Sequence, residues 1–414
     1  MNNAFTKPQV LIMPNVAHWI EGKMALEAIS LFSHLYDFYF LTEGIATRRA
    51  DIFRALLRRV DFIQAMDESA ASLVVRAAPG KHPPMMTWLH HVTTWSPEQQ
   101  VAVDNSEIIL ACTPEWARTI QEMGGRRDRL FYVVRHGVDS VKFQKVPSPD
   151  RRKFGIPDGA FVLGFMASKG SDRDARRKGV DTFLEVVRLS AGRIGNLHVS
   201  FTSGGWGEEV ESLRQAGVSA NDAGYLPSKL LPHFYSCLDA FLMTARVEGG
   251  PCTVLEAMAC RTPVVATSVG LVPETIEHGV NGFKAPPDDA PALAESVALL
   301  SSSPELADRI GAQARKTAEK LPWSQTFQAL AEPYRKMASL GAQGRDAAKK
   351  RLCDPPRFLK KIQAADAMGL AWSQYQSGGV SLLQALGRMR DMAEGVSLQD
   401  CVRALPLLIR PHWL

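Results

Sequence analysis

The sequence predicts a parallel α/β protein of two similar-sized units followed by a helical extension. Three observations predict it. Short apolar runs alternate with longer helical patterns, as expected of strand–helix units around a parallel sheet. The alternation stops at Val146-Pro147-Ser148-Pro149-Asp150-Arg151-Arg152, a break rich in proline and charge that reads as a linker, and then restarts. Beyond Gly341 no clear strand pattern is left. A chain of 414 residues can hold two substantial cores.

In the first unit Val10 to Met13 reads as a strand, Gly22 to His34 as a helix and Tyr36 to Leu41 as a second strand. Ala50 to Arg59 is helical and Phe62-Ile63 starts another strand. Met85 to Leu89 is a strand leading into His90-His91, and Glu107 to Ala111 a further one. Pro114 to Met123 is a helix capped by Thr113, and Leu130 to Val134 a strand ending at Arg135-His136-Gly137. In the second unit strands are expected at Phe161 to Met166, Leu197 to Thr202, Ala240 to Met243 and Pro263 to Ala266. Helices are expected at Val180 to Leu189, Glu208 to Gln215, Leu230 to Ser236, Pro251 to Cys260, Pro273 to Glu277, Leu293 to Leu300 and Pro304 to Glu319. The resulting divisions are a first unit over 1–145, a second over 156–322, a closing helix over 323–340 and a basic, mainly helical extension over 341–414. Two such units joined by a linker are expected to place a ligand cleft between them.

Composition excludes several classes. The 46% hydrophobic and 22% charged content is that of a soluble globular protein. No apolar run approaches the length of a membrane span, and Val10 to Met13 is too short for the core of a signal peptide. A cytoplasmic location is the default expectation. The six cysteines form no CxxC pair, so free thiols are expected rather than a zinc site or disulfide framework. The net charge of +5 lies in the tail, where 11 Lys/Arg face 6 Asp/Glu from Gly341 onward. No basic run is interleaved with aromatics, and a nucleic-acid partner is not expected.

The densest stretch is Val247-Glu248-Gly249-Gly250-Pro251-Cys252-Thr253-Val254-Leu255-Glu256. It sets two carboxylates eight positions apart, between an apolar strand and a helical run. Proline suits the first helical position, and two glycines allow positive φ and close approach of backbone to a ligand. The N–H groups at such a helix start make an anion site. Phosphate binding flanked by carboxylates fits a ligand that is part phosphate and part polyol, such as a nucleotide sugar.

Residues Arg246 to Phe283 resemble the donor-site signature of the retaining glycosyltransferases of family 4. The match runs through Glu248 and Glu256, Ala257-Met258-Ala259, Pro263 to Thr267, Val269-Gly270, Pro273-Glu274 and Gly279 with Asn281-Gly282-Phe283. The resemblance implies a GT-B fold, with two Rossmann-like domains facing across a cleft. It also implies transfer of a sugar from a nucleotide diphosphate donor with retention, metal-independent and with no cofactor beyond the donor. Arg173 and Lys178 resemble the family's phosphate-holding basic pair, with Lys169 or Arg177 as alternatives to Arg173. The implied donor site adds Gly249, Gly250, Pro251, Cys252, Thr253, the glycine turn at Gly204, and Tyr225, Leu226 and Leu230 around the base. Arg135-His136-Gly137-Val138-Asp139 resembles the family's Asn-Gly-Val-Asp, with His136 replacing asparagine. Asp239 matches a family aspartate read as structural.

In the first unit His90 or His91 resembles the active-site histidine, and because neighbours on a strand alternate faces only one can serve; His90 is favoured. Gly22 stands where the family has a Gly-Gly loop, and Arg261 where it has glycine. In the implied roles Glu256 takes the ribose, Glu248 the sugar, and Arg173 with Lys178 the departing diphosphate. No Asp-x-Asp stretch is read as a metal site. The acceptor is unidentified. Trp19, Trp88 and Trp95 could pack or meet a sugar or lipid. Arg351, Arg357, Lys360 and Lys361 near Phe358-Leu359 read as a solvated helix or as a contact to anionic lipid at the inner face of the membrane. Two other readings compete: a non-catalytic nucleotide-sugar-binding protein, supported by the reduced Gly22 loop, and another GT-B enzyme such as a nucleotide-sugar epimerase, which the ordered E-x7-E signature argues against.

Overall fold

The computed structural model describes residues 7–17, 20–167, 169–343, 360 and 362–364. They fall into two compact units. The first is built from the chain up to Val134 and again from Phe327, the second from Arg135 to Thr326.

The first unit is a parallel sheet of β1 (Gln9–Met13), β2 (Asp37–Phe40), β3 (Phe62–Ala65), β4 (Met85–Leu89), β5 (Ile108–Ala111) and β6 (Leu130–Val133), in the order β2-β1-β3-β4-β5-β6. Strands β1, β3, β4 and β5 are buried at every position, which is why they read as unbroken apolar runs. The sequence reading misses the helices Glu68–Ala77 and Pro97–Asn105, although both carry start signals. Asp67 accepts from Ala70 N at 2.8 Å, and Ser96 and Gln99 form a capping box ahead of Pro97. Trp88 is wholly buried in this core, and the Trp95 indole donates to Gln100 at 2.8 Å, so both pack. Trp19 lies outside the described residues, as does the tail apart from residues 341–343, Lys360 and the short stretch 362–364.

The expected closing helix is a correction. The segment breaks into Trp323–Thr326, a 3-10 turn at Phe327–Leu330 and a helix at Ala331–Gln343, and the part from Phe327 packs on the first unit, not the second. The cause is apolar spacing. Phe327, Leu330, Tyr334 and Met337 share one buried face, and Tyr334 meets the rings of Phe32, Tyr36, Phe38 and Phe62. Its hydroxyl donates to Gln64 Oε1 at 2.5 Å.

The second unit is a parallel sheet of β7 (Phe161–Met166), β8 (Leu197–Thr202), β9 (Ser219–Asp222), β10 (Ala240–Met243), β11 (Val264–Thr267) and β12 (Phe283–Ala285), in the order β12-β11-β10-β7-β8-β9. Strands β9 and β12 are absent from the sequence reading, being short and partly polar. The unit boundary also moves. Residues from Arg135 belong here because Val138, Phe143, Phe154 and Ile156 enter a core with Phe234, Tyr235 and Phe241. Arg315 fastens this segment within the second unit, donating to the carbonyls of Ser140 at 2.9 Å, Phe143 at 2.5 Å and Ala259 at 2.7 Å. Asp239 accepts from Val162 N at 2.8 Å and pairs with Arg151 at 2.9 Å, a structural role.

In the first unit Glu43 and Asp67 gather beyond the ends of β2 and β3. Ser69 Oγ lies 2.6 Å from Glu43 Oε1 and 3.0 Å from Asp67 Oδ1. Burial, and then the charge of Asp67, push the Glu43 carboxyl up to about 7. Folding therefore retains a proton that the unfolded chain releases near 4.5, and stability falls as pH rises between about 4.5 and about 7. E43Q, which is permanently neutral, should unfold in urea like wild type below that window and be the more stable protein above it. Unfolding midpoints that stay parallel across pH would refute this.

Candidate functional site

In an open parallel sheet ligands bind beyond the strand C-termini where the strand order reverses. In the second unit that point lies between β7 and β10. The loops leaving these two strands carry Lys178 and Glu248.

Backbone contact brings them together. Thr244 Oγ1 donates to Gly179 O at 2.8 Å, and Arg246 N donates to Arg177 O at 2.8 Å. Arg246 also pairs with Asp181 at 2.7 Å and Asp288 at 2.6 Å. Gly179 has φ +64°, and a Cβ there would run into Thr244 O. Only glycine fits both the conformation and the approach. Glu248, 13% exposed, then lies against Lys178 Nζ, with Arg177 Nη1 at 3.4 Å.

Of the alternatives for the arginine, Arg177 is the one at Glu248. Arg173 is exposed on the helix Asp172–Arg177, and Lys169 pairs with Glu208 at 2.9 Å and Glu209 at 3.0 Å. That helix is absent from the sequence reading. Its missed signal is the capping box of Ser171 and Asp174. The same box accounts for the Asp172-Arg173-Asp174 run, an Asp-x-Asp pattern passed over in the sequence reading: Asp174 accepts from Ser171 N at 3.1 Å and from its hydroxyl at 2.7 Å.

The Glu-Gly-Gly-Pro turn corrects two expectations. Gly249 and Gly250 are not among the residues with positive φ, and Pro251 caps the helix Cys252–Ala259 instead of starting it. The glycines serve close packing. A Cβ on Gly250 would strike the His136 ring, and one on Gly270 would strike the carbonyls of Glu248 and Gly249. His136, 4% exposed, has Nδ1 at 2.6 Å from Gly250 O and 3.4 Å from Cys252 Sγ. Burial lowers its pKa to about 4, so near neutral pH the ring is uncharged. A carbonyl only accepts, so the proton sits on Nδ1. His136 thus braces the turn.

Glu256 is half-buried about one turn along that helix, and Tyr235 Oη donates to its Oε2 at 2.9 Å. Thr253 is half-buried at the helix start. Gly204 (φ +82°) turns the chain after β8 beside Gly224, whose carbonyl accepts from Ser203 N at 2.9 Å. Tyr225 is 37% exposed at the same edge, Leu226 packs on the core that holds Phe143, and Leu230 is half-buried at the start of the helix Leu231–Cys237.

The far half of the signature is scaffold. Asn281 accepts from Glu277 N at 2.8 Å and donates to Thr275 O at 3.0 Å and Thr317 Oγ1 at 2.9 Å. Arg261, where the family has glycine, has φ +59° and pairs with Asp308 at 2.8 Å. A left-handed turn explains the family's glycine; here an arginine carries the strain.

In the first unit His90 and His91 both lie beyond β4, so alternation along a strand does not choose between them. His90 Nε2 is 2.8 Å from Met66 O, Nδ1 is 3.6 Å from Cys112 Sγ, and the ring stacks on Trp88 at 5.4 Å. Gly22 lies not in a loop but buried in the helix Ile20–Phe32, where a Cβ would strike the carbonyls of Val16 and Ala17. Among the described residues Cys112, Cys237, Cys252 and Cys260 are free thiols. No helix among them is long and apolar enough to cross a membrane.

Gly179 gives the direct test of this construction. G179A should destabilise the second unit by about 2 kcal/mol or more, from left-handed strain and the clash with Thr244. G192A, at a right-handed φ of −69° with its nearest neighbour 4.0 Å away, should cost little. Urea unfolding of both variants checks the contrast, and equal losses would refute it.

Comparison with known proteins agrees with this geometry. Residues 149–317 match the family model described as glycosyl transferases group 1. A D-inositol 3-phosphate glycosyltransferase of Corynebacterium jeikeium is 27% identical over 262 residues, 60% of this chain and 61% of that protein. The chain thus aligns with about three fifths of the length of such relatives. Anabaena HepE, crystallised with UDP and glucose, superposes with a TM-score of 0.66 at 18% identity, covering 80% of this chain and 100% of that one. A glycosyltransferase from Rickettsia africae gives 0.66 at 16% identity, covering 80% and 99%. At these identities the structural likeness is one of fold. Two parallel six-stranded sheets of this order have the GT-B fold of these structures, and the second sheet's unit carries the segment, residues 149–317, that matches the glycosyl transferases group 1 model.

Proposed function

We propose that this chain is a retaining, metal-independent glycosyltransferase that moves a sugar from a UDP- or GDP-sugar to an acceptor such as a glycan, a lipid-linked glycan or a small metabolite. The observation that carries the reading is the meeting of Glu248, Arg177 and Lys178 beyond β7 and β10. The chain's likeness to HepE, whose structures hold UDP and glucose, supports a nucleotide-sugar donor.

In this reading the donor diphosphate lies at the start of the helix Cys252–Ala259, where backbone N–H groups precede the helical ladder. Lys178 and Arg177, with Arg173 nearby on the same helix, stabilise negative charge as the bond from the anomeric carbon to phosphate breaks. Glu248 receives hydroxyls of the sugar and offsets positive charge on its ring. It also holds both cations close to the cleaving bond before the donor arrives, so little reorganisation is needed. Glu256 accepts from the ribose. Tyr225, Leu226 and Leu230 frame the base, and His90 would supply the first unit's contact to the sugar. The acceptor oxygen forms the new bond on the same face. Its proton passes to the departing phosphate, so no separate base, metal or cofactor is required. The donor-side chemistry needs no membrane; the basic tail would set any peripheral contact at the inner face.

Turnover of UDP-, GDP- and ADP-sugars, by hydrolysis and by transfer to an acceptor panel, tests the proposal. Wild type should turn over one donor class. E248Q and K178A should each lose about 100-fold or more in kcat, with donor affinity reduced less by E248Q. Tight donor binding with no turnover across a broad panel would sink the enzyme reading in favour of a binding protein. No binding at all would sink both.

A further inference from the structure

We infer that Tyr235 is a positioning residue that fixes the carboxylate of Glu256 in one orientation and thereby makes the site selective for a ribose over a deoxyribose. The inference rests on the donor-site reading of Glu256 given above.

Tyr235 lies on the helix Leu231–Cys237 with none of its surface exposed. Its ring meets Phe241 edge-on at 5.7 Å and Phe143 at 6.2 Å. Its backbone carbonyl accepts from Thr262 Oγ1 at 2.7 Å. Packing on both sides and a tethered backbone leave the hydroxyl one position. Oη lies 2.9 Å from Glu256 Oε2 and 3.1 Å from Met166 Sδ. A phenol has one hydrogen, and a carboxylate is a far stronger acceptor than a thioether, so the proton points at Oε2. Burial, followed by the charge of Glu256, holds the phenol well above its ordinary value, so it stays a donor.

A carboxylate on a helix surface turns about its last torsion and offers either oxygen. Glu256 has that torsion set by a rigid donor from the core. Oε2 faces the phenol, and the ribose hydroxyls meet a carboxylate that cannot swing to compensate when one of them is missing. Selectivity of this kind comes from leaving a fixed polar group short of its partner. Without the phenol the carboxylate can reorient, take water, and lose the distinction.

The test measures binding of UDP, GDP and ADP by calorimetry, and then of the 2′-deoxy and 3′-deoxy forms of whichever binds best. Wild type should prefer the ribonucleotide about tenfold or more over at least one deoxy form. Y235F should weaken ribonucleotide binding and bring that ratio to about twofold, while leaving deoxynucleotide affinity near wild type. E256Q should lower the ratio as well, and adding Y235F to E256Q should lower it no further. A Y235F protein that keeps the wild-type ratio while E256Q loses it would overturn the inference alone. A ratio untouched by E256Q would overturn the reading of Glu256 beneath it. Should Y235F fail to fold, a structure of the wild-type protein with the nucleotide decides the matter. Tyr235 Oη must remain on Oε2 with the ribose at the other oxygen; a ribose bound through both oxygens, with the phenol displaced, would refute the proposal.

Discussion

The approach of Thr244 O to Gly179 is the contact on which the rest of the second unit's site depends. It joins the loops leaving β7 and β10, which share no covalent proximity, and sets the distance between the cations and Glu248. Two further glycines repeat the device. Gly250 admits the His136 ring, and Gly270 admits the carbonyls of Glu248 and Gly249. In each case the missing Cβ creates room for a neighbour, and the neighbour then fixes the backbone.

Charge and geometry are divided among different residues. Glu248, Arg177 and Lys178 are ionic and gathered at one point, where their attraction is strengthened by partial burial. The groups that brace the Glu248 turn and Glu256 are neutral. His136 is kept uncharged by burial and Tyr235 is kept protonated, so each gives a directed hydrogen bond without adding charge to the site. A bracing group that titrated near neutral pH would make the turn itself pH-sensitive.

Most of the fold was legible because parallel strands buried on both faces leave continuous apolar runs, as at Val10 to Met13 and Phe161 to Met166. Strand β9, Ser219–Asp222, was not, since its polar residues are satisfied by tertiary partners such as His198. The unit boundary was misplaced for a related reason. Proline and charge mark an irregular segment, yet the apolar residues Val138 and Phe143 before it decide which core the chain joins. At the site, the motif singles out both Glu248 and Lys178, which lie against each other, but it leaves Arg173, Lys169 and Arg177 as alternatives because their placement depends on helical phase. The Ser171 cap sets that phase. Tyr235 escaped entirely: one tyrosine in an apolar helix carries no pattern, and only its distance to Glu256 reveals its task.

Tyr334 and its neighbours complete the first unit's aromatic core, although they come from a segment that follows the whole of the second unit in the chain. A ribosome therefore releases six strands of the first sheet long before it releases the residues that cover Phe32, Phe38 and Phe62. The second unit, an unbroken stretch, can close as soon as it emerges. The half of the protein made first is the half finished last, and until then its aromatic face is the surface most in need of shielding.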